Sequence, residues 1–244
     1  MDDMPHIPSA ALDDLADIFV KHKVQGIFGV GLIHSHCTLK EGDVMLSTQL
    51  QAPARGCWNK ATEIASIDPS RVRGHMFKLA GVDKLVAYKV EQGQVTDLRI
   101  ESAAFFQEFA EYLSTAGLAD LLGLQVLSGT PTYGVEFDFG DVGTVVLNEA
   151  DTKHGPVSHT TGWMFSVDEG GTVSCKGNTV HAPTTKGPHK VFVDSKLVQN
   201  YNDLNKTLRH YAVWVISPRF VITSVRGYIC VLWCRLPVLE MCKM

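Results

Sequence analysis

The chain has 244 residues, 45% of them hydrophobic, 20% charged and 9% aromatic, with a formal net charge of −4. That composition excludes a disordered, collagen-like or low-complexity protein, and the acidic balance excludes a whole-chain basic footprint for nucleic acid. The length suffices for one sizeable core.

The start, Met1-Asp2-Asp3-Met4-Pro5, is acidic and runs into no apolar stretch, which argues against a secretory signal or an Arg-rich transit peptide and predicts a cytoplasmic protein. Residues 1–8 are expected to be a flexible N-terminus. Residues 9–23 then read as an amphipathic helix: Ser9 is a candidate N-cap, and Leu12, Leu15, Ile18 and Phe19 share one face. Asp13, Asp14 and Asp17 precede Lys21, His22 and Lys23, the order that suits the helix dipole.

Gly26 to Ile33 is a short apolar run bounded by turn formers, a buried-strand pattern that leads directly into His34-Ser35-His36. A further strand is expected over Val44–Leu50. Pro53 and Gly56 suggest a loop through residues 51–73, with Trp58 at a core edge. Leu85–Val90 and Val95–Ile100 flank Gln92-Gly93 and read as a hairpin.

A second helix is expected from Ser102 to Ala116, with Phe105, Phe109, Tyr112 and Leu113 on one face and Gly117 as its stop. Leu118–Leu127 reads as a short helical continuation. Tyr133, Val135, Phe137 and Phe139 alternate with Gly134, Glu136 and Asp138, a half-buried strand, and Thr144–Leu147 follows as another. Trp163, Phe165 and Val167 alternate likewise, and Glu169-Gly170-Gly171 turns them into a hairpin with Thr172–Lys176. Trp163 and Phe165 are expected to pack the core or wall a pocket. Helices near residues 9 and 102 with strand runs between them predict an α+β fold: a mainly antiparallel sheet with two or three packing helices, in a single domain over residues 9–210. No repeat at a period of 20–50 residues is evident.

From Leu204 to Leu239 no acidic residue occurs, so residues 211–244 form an apolar C-terminal segment. Arg219, Arg226 and Pro218 interrupt it, which argues against a membrane span and for one or two terminal strands. Of the six cysteines, Cys230, Cys234 and Cys242 lie in this segment, and no CxxC pair occurs, so reduced thiols are expected.

The chemistry is expected at the histidines. In a strand, positions i and i+2 face the same way, so His34 and His36 would project together from a rigid element. Such a pair suits a divalent metal such as zinc, completed by His154, with Asp151, His159 or His181 as other donors; three ligands and a water would make a catalytic site. Without metal, His34, His36 and His159 would act as general acids and bases, oriented by Asp151 or Glu149. Cys37 and Cys175 read as inert thiols. No GxGxxG, GxxxxGK[ST] or GxSxG motif occurs. The reading is therefore a small-molecule enzyme, a hydrolase or a lyase/isomerase, with no nucleic-acid or membrane partner; the alternative is a non-enzymatic binding domain with incidental histidines.

Val30-Gly31-Leu32-Ile33-His34-Ser35-His36 resembles the strand-plus-HxH segment of the JAMM zinc isopeptidases. That family's downstream Asp ligand has Leu50 in its place, and no acid lies between Asp17 and Glu41 to act as its base, so the family's chemistry is not carried over. More broadly the chain is similar to small uncharacterised fungal proteins with an apolar strand running into an HxH segment, through Gly177-Asn178-Thr179-Val180-His181 as well. That resemblance implies a fungal cytosolic protein of specialised (secondary) metabolism.

Overall fold

In the computed structural model the described residues are 5–34, 39–50, 55–81, 84–92, 103–127, 133–140, 143–149 and 159–181, together with the backbone of the short strands named below. Thirteen residues form α1 (Ser9–Lys21), and Pro8, with extended backbone, precedes them; the expected cap Ser9 is already helical and makes no side-chain cap. The strands that follow are β1 (Phe28–Leu32), β2 (Asp43–Gln49), β3 (Gly56–Glu63), β4 (Val72–Ala80) and β5 (Lys84–Gln92). After α2 (Ala103–Thr115) come β6 (Leu122–Val126), β7 (Gly134–Asp138), β8 (Thr144–Asn148), β9 (Thr152–Lys153), β10 (His159–Val167) and β11 (Val173–His181).

Ten of these strands close into a barrel in the order β1-β10-β11-β7-β8-β3-β2-β5-β4-β6. Neighbours are antiparallel except β11·β7 and β2·β5, which are parallel. This overturns the expected α+β fold: the architecture is a closed mixed barrel with two helices outside it. The stretch 118–127 carries the strand β6 rather than a helix, and the stretch read as a loop carries β3. The strand β5 pairs with β4 and β2, not with a following strand in a hairpin. The hairpin β10·β11 is found as expected. Residues 93–100 lie outside the described set.

The barrel consists of two interleaved copies of one unit. Ser9–Lys21 and Ala103–Thr115 are both thirteen residues long, and Ser9 to Ala103 and Phe28 to Leu122 are each a shift of 94 positions. Lys23 and its counterpart Gly117 both have positive φ, 58° and 69°, where each helix breaks off. The amide of Ile33 donates to the Leu121 carbonyl at 2.8 Å, and the amide of Leu127 donates to the Ile27 carbonyl at 2.9 Å, the same bond with the copies exchanged. Exchanging β1–β5 with β6, β7, β8, β10 and β11 and reading the circle backwards returns the same strand order. Both long hairpins carry an irregularity at corresponding places, around His75 in β4 and Thr161 in β10. The copies are strand-swapped: β1 lies between β6 and β10 of the second copy.

Alternation sorts each strand into two faces. Phe28, Val30 and Leu32 of β1 and Leu122, Leu124 and Val126 of β6 pack outward beneath the helices, where they meet Leu15, Phe19, Phe105, Phe109 and Leu113. Phe19 touches Phe105 edge-on at 5.1 Å and Phe165 at 4.7 Å, and Phe28 stacks on Phe105 at 5.6 Å. Trp163 and Phe165 both join this core and neither lines the cavity described below, which resolves the expectation for them.

A second sheet has the order β13 (Lys196–Leu197), β12 (Lys190–Val193), β14 (Trp214–Ser217), β15 (Phe220–Val225), β16 (Tyr228–Trp233) and β9. The apolar C-terminal stretch therefore holds three strands, not one or two. Among the described residues no helix is long and apolar enough to cross a membrane.

Candidate functional site

The inward faces of the strands are polar. Glu136 of β7, Thr144 of β8, Asn59 and Cys57 of β3 and His75 of β4 line a cavity of about 300 Å³ inside the barrel, within the size range of small-ligand pockets. Ile33, Leu39, Met45, Met76 and Val146 give it a mainly apolar wall. The room depends on glycine: a side chain on Gly31 would run into Met76, and one on Gly162 into Asn178.

His34 stands at this cavity, two residues beyond the end of β1. Its Nδ1 lies 3.0 Å from the Leu32 carbonyl, which can only accept, so Nδ1 donates. Its Nε2 lies 3.1 Å from Glu136 Oε2, and one proton must be shared between those two atoms. The other carboxylate oxygen, Oε1, accepts from the Thr144 hydroxyl at 3.0 Å, and Thr144 accepts in turn from Asn59 Nδ2 at 3.0 Å. Cys57 Sγ donates to Asn59 Oδ1 at 3.7 Å. Every donor in this row points toward the carboxylate, so Glu136 is held by acceptor-directed bonds on one oxygen and turned toward imidazole with the other. His181, the cross-strand neighbour of Glu136, brings its ring to 6.2 Å from that of His34, edge to face.

A second polar group lies where β4, β5 and β2 meet. Arg73 Nε donates to Glu91 Oε1 at 2.6 Å. Burial pushes the Glu91 carboxyl up, and the bond and charge of Arg73 partly oppose this. His75 is buried, and its Nδ1 has no hydrogen-bond partner. Burial, and then the charges of Lys89 and Arg73, push its pKa down to about 3, so the ring is neutral. At 3.7 Å from Glu91 Oε2, a neutral imidazole makes a polar contact rather than an ion pair. Burial also raises the Cys57 thiol, which opposes a thiolate there.

Of the expected constellation, His34, His159 and His181 fall among the described residues. His34 is at the cavity, but β1 ends at Leu32, so the strand geometry that would align it with His36 does not extend to it. His36, His154, Asp151 and Cys37 lie outside the described residues. His159 is exposed at the start of β10 and is not part of the cavity wall, although it is the cross-strand partner of His181. Among the described residues no group of three or more His, Cys, Asp or Glu side chains is placed to hold a metal ion. Both nitrogens of His34 are already engaged, by Leu32 and Glu136. Glu136, Asn59, Thr144, His75 and Lys89 were not anticipated. Glu136 carried a legible signal, a polar residue between the buried Val135 and Phe137.

No protein family, curated protein or solved structure matches the chain.

Proposed function

We propose that the barrel interior is a small-molecule site in which His34 and Glu136 form the acid–base pair of a lyase or isomerase. The observation that supports this is the 3.1 Å approach of Nε2 to Oε2 at the wall of a mainly apolar cavity. A substrate hydrogen on carbon next to a carbonyl is removed by whichever member of the pair is unprotonated and returned from the same place, while Leu32 and Thr144 keep the two groups aligned. Nucleophilic hydrolysis through Cys57 is the weaker form of the reading, since that thiol donates to Asn59 and burial raises its pKa. A non-enzymatic binding domain would use the same apolar wall but would need no such pair.

The test is deuterium incorporation from D2O into small ketones and oxo acids, followed by NMR. The wild-type protein is expected to catalyse exchange, and Glu136→Gln and His34→Ala to lower the rate at least about 100-fold, the usual scale for a positioned acid–base group. Exchange at equal rates in wild type and both variants would dismiss the pair. Binding without exchange in the wild type would favour the binding domain.

A further inference from the structure

Ionic groups facing the cavity differ in whether their charge is answered. Glu136 is answered by His34 and Thr144, and Glu91 by Arg73. Lys89, half-buried on β5 and part of the cavity wall, makes no hydrogen bond or ion pair among the described residues. Its charge acts instead on His75, Cys57 and Glu91. Beside it stands His75, whose buried Nδ1 makes no hydrogen bond and lies 3.7 Å from Glu91 Oε2. A half-buried ammonium without a partner among the described residues, in a cavity whose wall is mainly apolar, marks a place for a ligand group of opposite charge.

We propose that the cavity takes a small monocarboxylate with an apolar tail, its carboxylate set against Lys89 and its tail along Ile33, Leu39, Met45, Met76 and Val146. The assignment rests on the reading of the barrel interior as a small-molecule site and adds the chemistry of the molecule. Of the two lysines in the wall, Lys78 is exposed and Lys89 is half-buried, so Lys89 is the cation partly withdrawn from solvent, and it matches a single negative charge. With its head at Lys89, the ligand's chain is the part left to approach His34 and Glu136.

The probes are octanoate and its neutral counterpart 1-octanol, titrated calorimetrically into the wild-type protein, Lys89→Met and Lys89→Arg. Octanoate is expected to bind the wild type at least about tenfold more tightly than octanol, the worth of one charge-assisted hydrogen bond in a partly buried site. Lys89→Met should bring the two to within about threefold of each other, and Lys89→Arg should keep most of the preference. Octanol binding as tightly as octanoate overturns the anionic head while leaving the cavity reading standing. A preference that survives Lys89→Met also overturns it. Binding of neither molecule overturns this proposal together with the cavity reading on which it rests. The comparison within the wild type needs no variant, so a folding defect in Lys89→Met does not remove the test.

Discussion

His75 shows what one buried ring does to stability. Its folded pKa lies near 3 against 6.5 for the unfolded group, so over that interval the unfolded chain holds a proton that the folded chain refuses. The folded state is therefore favoured above pH 6.5 and loses that advantage as the pH falls. One proton of difference is worth about 1.4 kcal/mol per pH unit, so between pH 6.5 and 4.5 the group costs up to roughly 2 kcal/mol. Urea melts at the two pH values should show the wild type losing about that much more stability than His75→Leu. Equal losses would mean that the ring is protonated in the folded protein. Glu91, raised by burial, acts with the opposite sign: its contribution is full at low pH and is lost as the pH rises through its folded pKa. It is present in both proteins and leaves the comparison standing. At pH 7 the leucine variant removes a buried unpartnered nitrogen, so it should fall within about 1 kcal/mol of wild type or above it.

At the scale of elements, paired glycines report the duplication. A Cβ on Gly29 of β1 would run into the Trp163 carbonyl oxygen, and one on Gly123 of β6 into that of Phe77. Gly29 and Gly123 are counterparts, and so are Trp163 and Phe77, which pair with Val30 and Leu124. Backbone cannot step aside as a side chain can, so Gly29→Ala and Gly123→Ala should each cost roughly 2–3 kcal/mol. Gly31→Ala meets only the flexible end of Met76 and should cost about 1 kcal/mol or less. Thermal denaturation of the three variants checks the order, and a Gly31 change as severe as the other two would contradict it. The same alternation explains how far the sequence could be read. Val135 and Phe137 against Glu136 is legible as a strand with one apolar face, and both helices are legible from their periodicity. In an open sheet the polar face is the wet one. Closing the sheet turns that face inward, and Glu136 becomes 6% exposed beside Asn59 at 1%. Closure depends on pairings between residues far apart in the chain, such as Gly29 with Gln125 and Trp58 with Val145, and no local pattern carries those. His34 was visible because an apolar run ends in it; its partner Glu136, 102 positions away, was not.

Across the whole molecule, one scaffold is used twice with different polar residues on its inner face. At matching places of the two parallel junctions stand Ser47 beside Glu91 in one copy and Glu136 beside His181 in the other, and all four are buried. His75 corresponds to Thr161, and Lys89 to Thr179, by the register of the two long hairpins. The copies have therefore kept the backbone and diverged on the inner face, with the His34–Glu136 hydrogen bond at one parallel junction and Lys89 at the other. Interleaving also constrains folding: β1 has both its neighbours in the second copy, and β6 has both its neighbours, β1 and β4, in the first. Neither copy can complete its sheet alone, so the barrel should unfold as one unit despite its two-part construction. Trp58 lies on β3 of the first copy and Trp163 on β10 of the second, and the other two tryptophans are Trp214 and Trp233. Proteins retaining only Trp58 or only Trp163, with the other tryptophans replaced by phenylalanine, should give, each in its own background, a fluorescence midpoint in urea that coincides with the loss of far-ultraviolet circular dichroism. A Trp163 signal that changes well before the dichroism would show the copies separating, and with it that the swapped strands do not bind the two together.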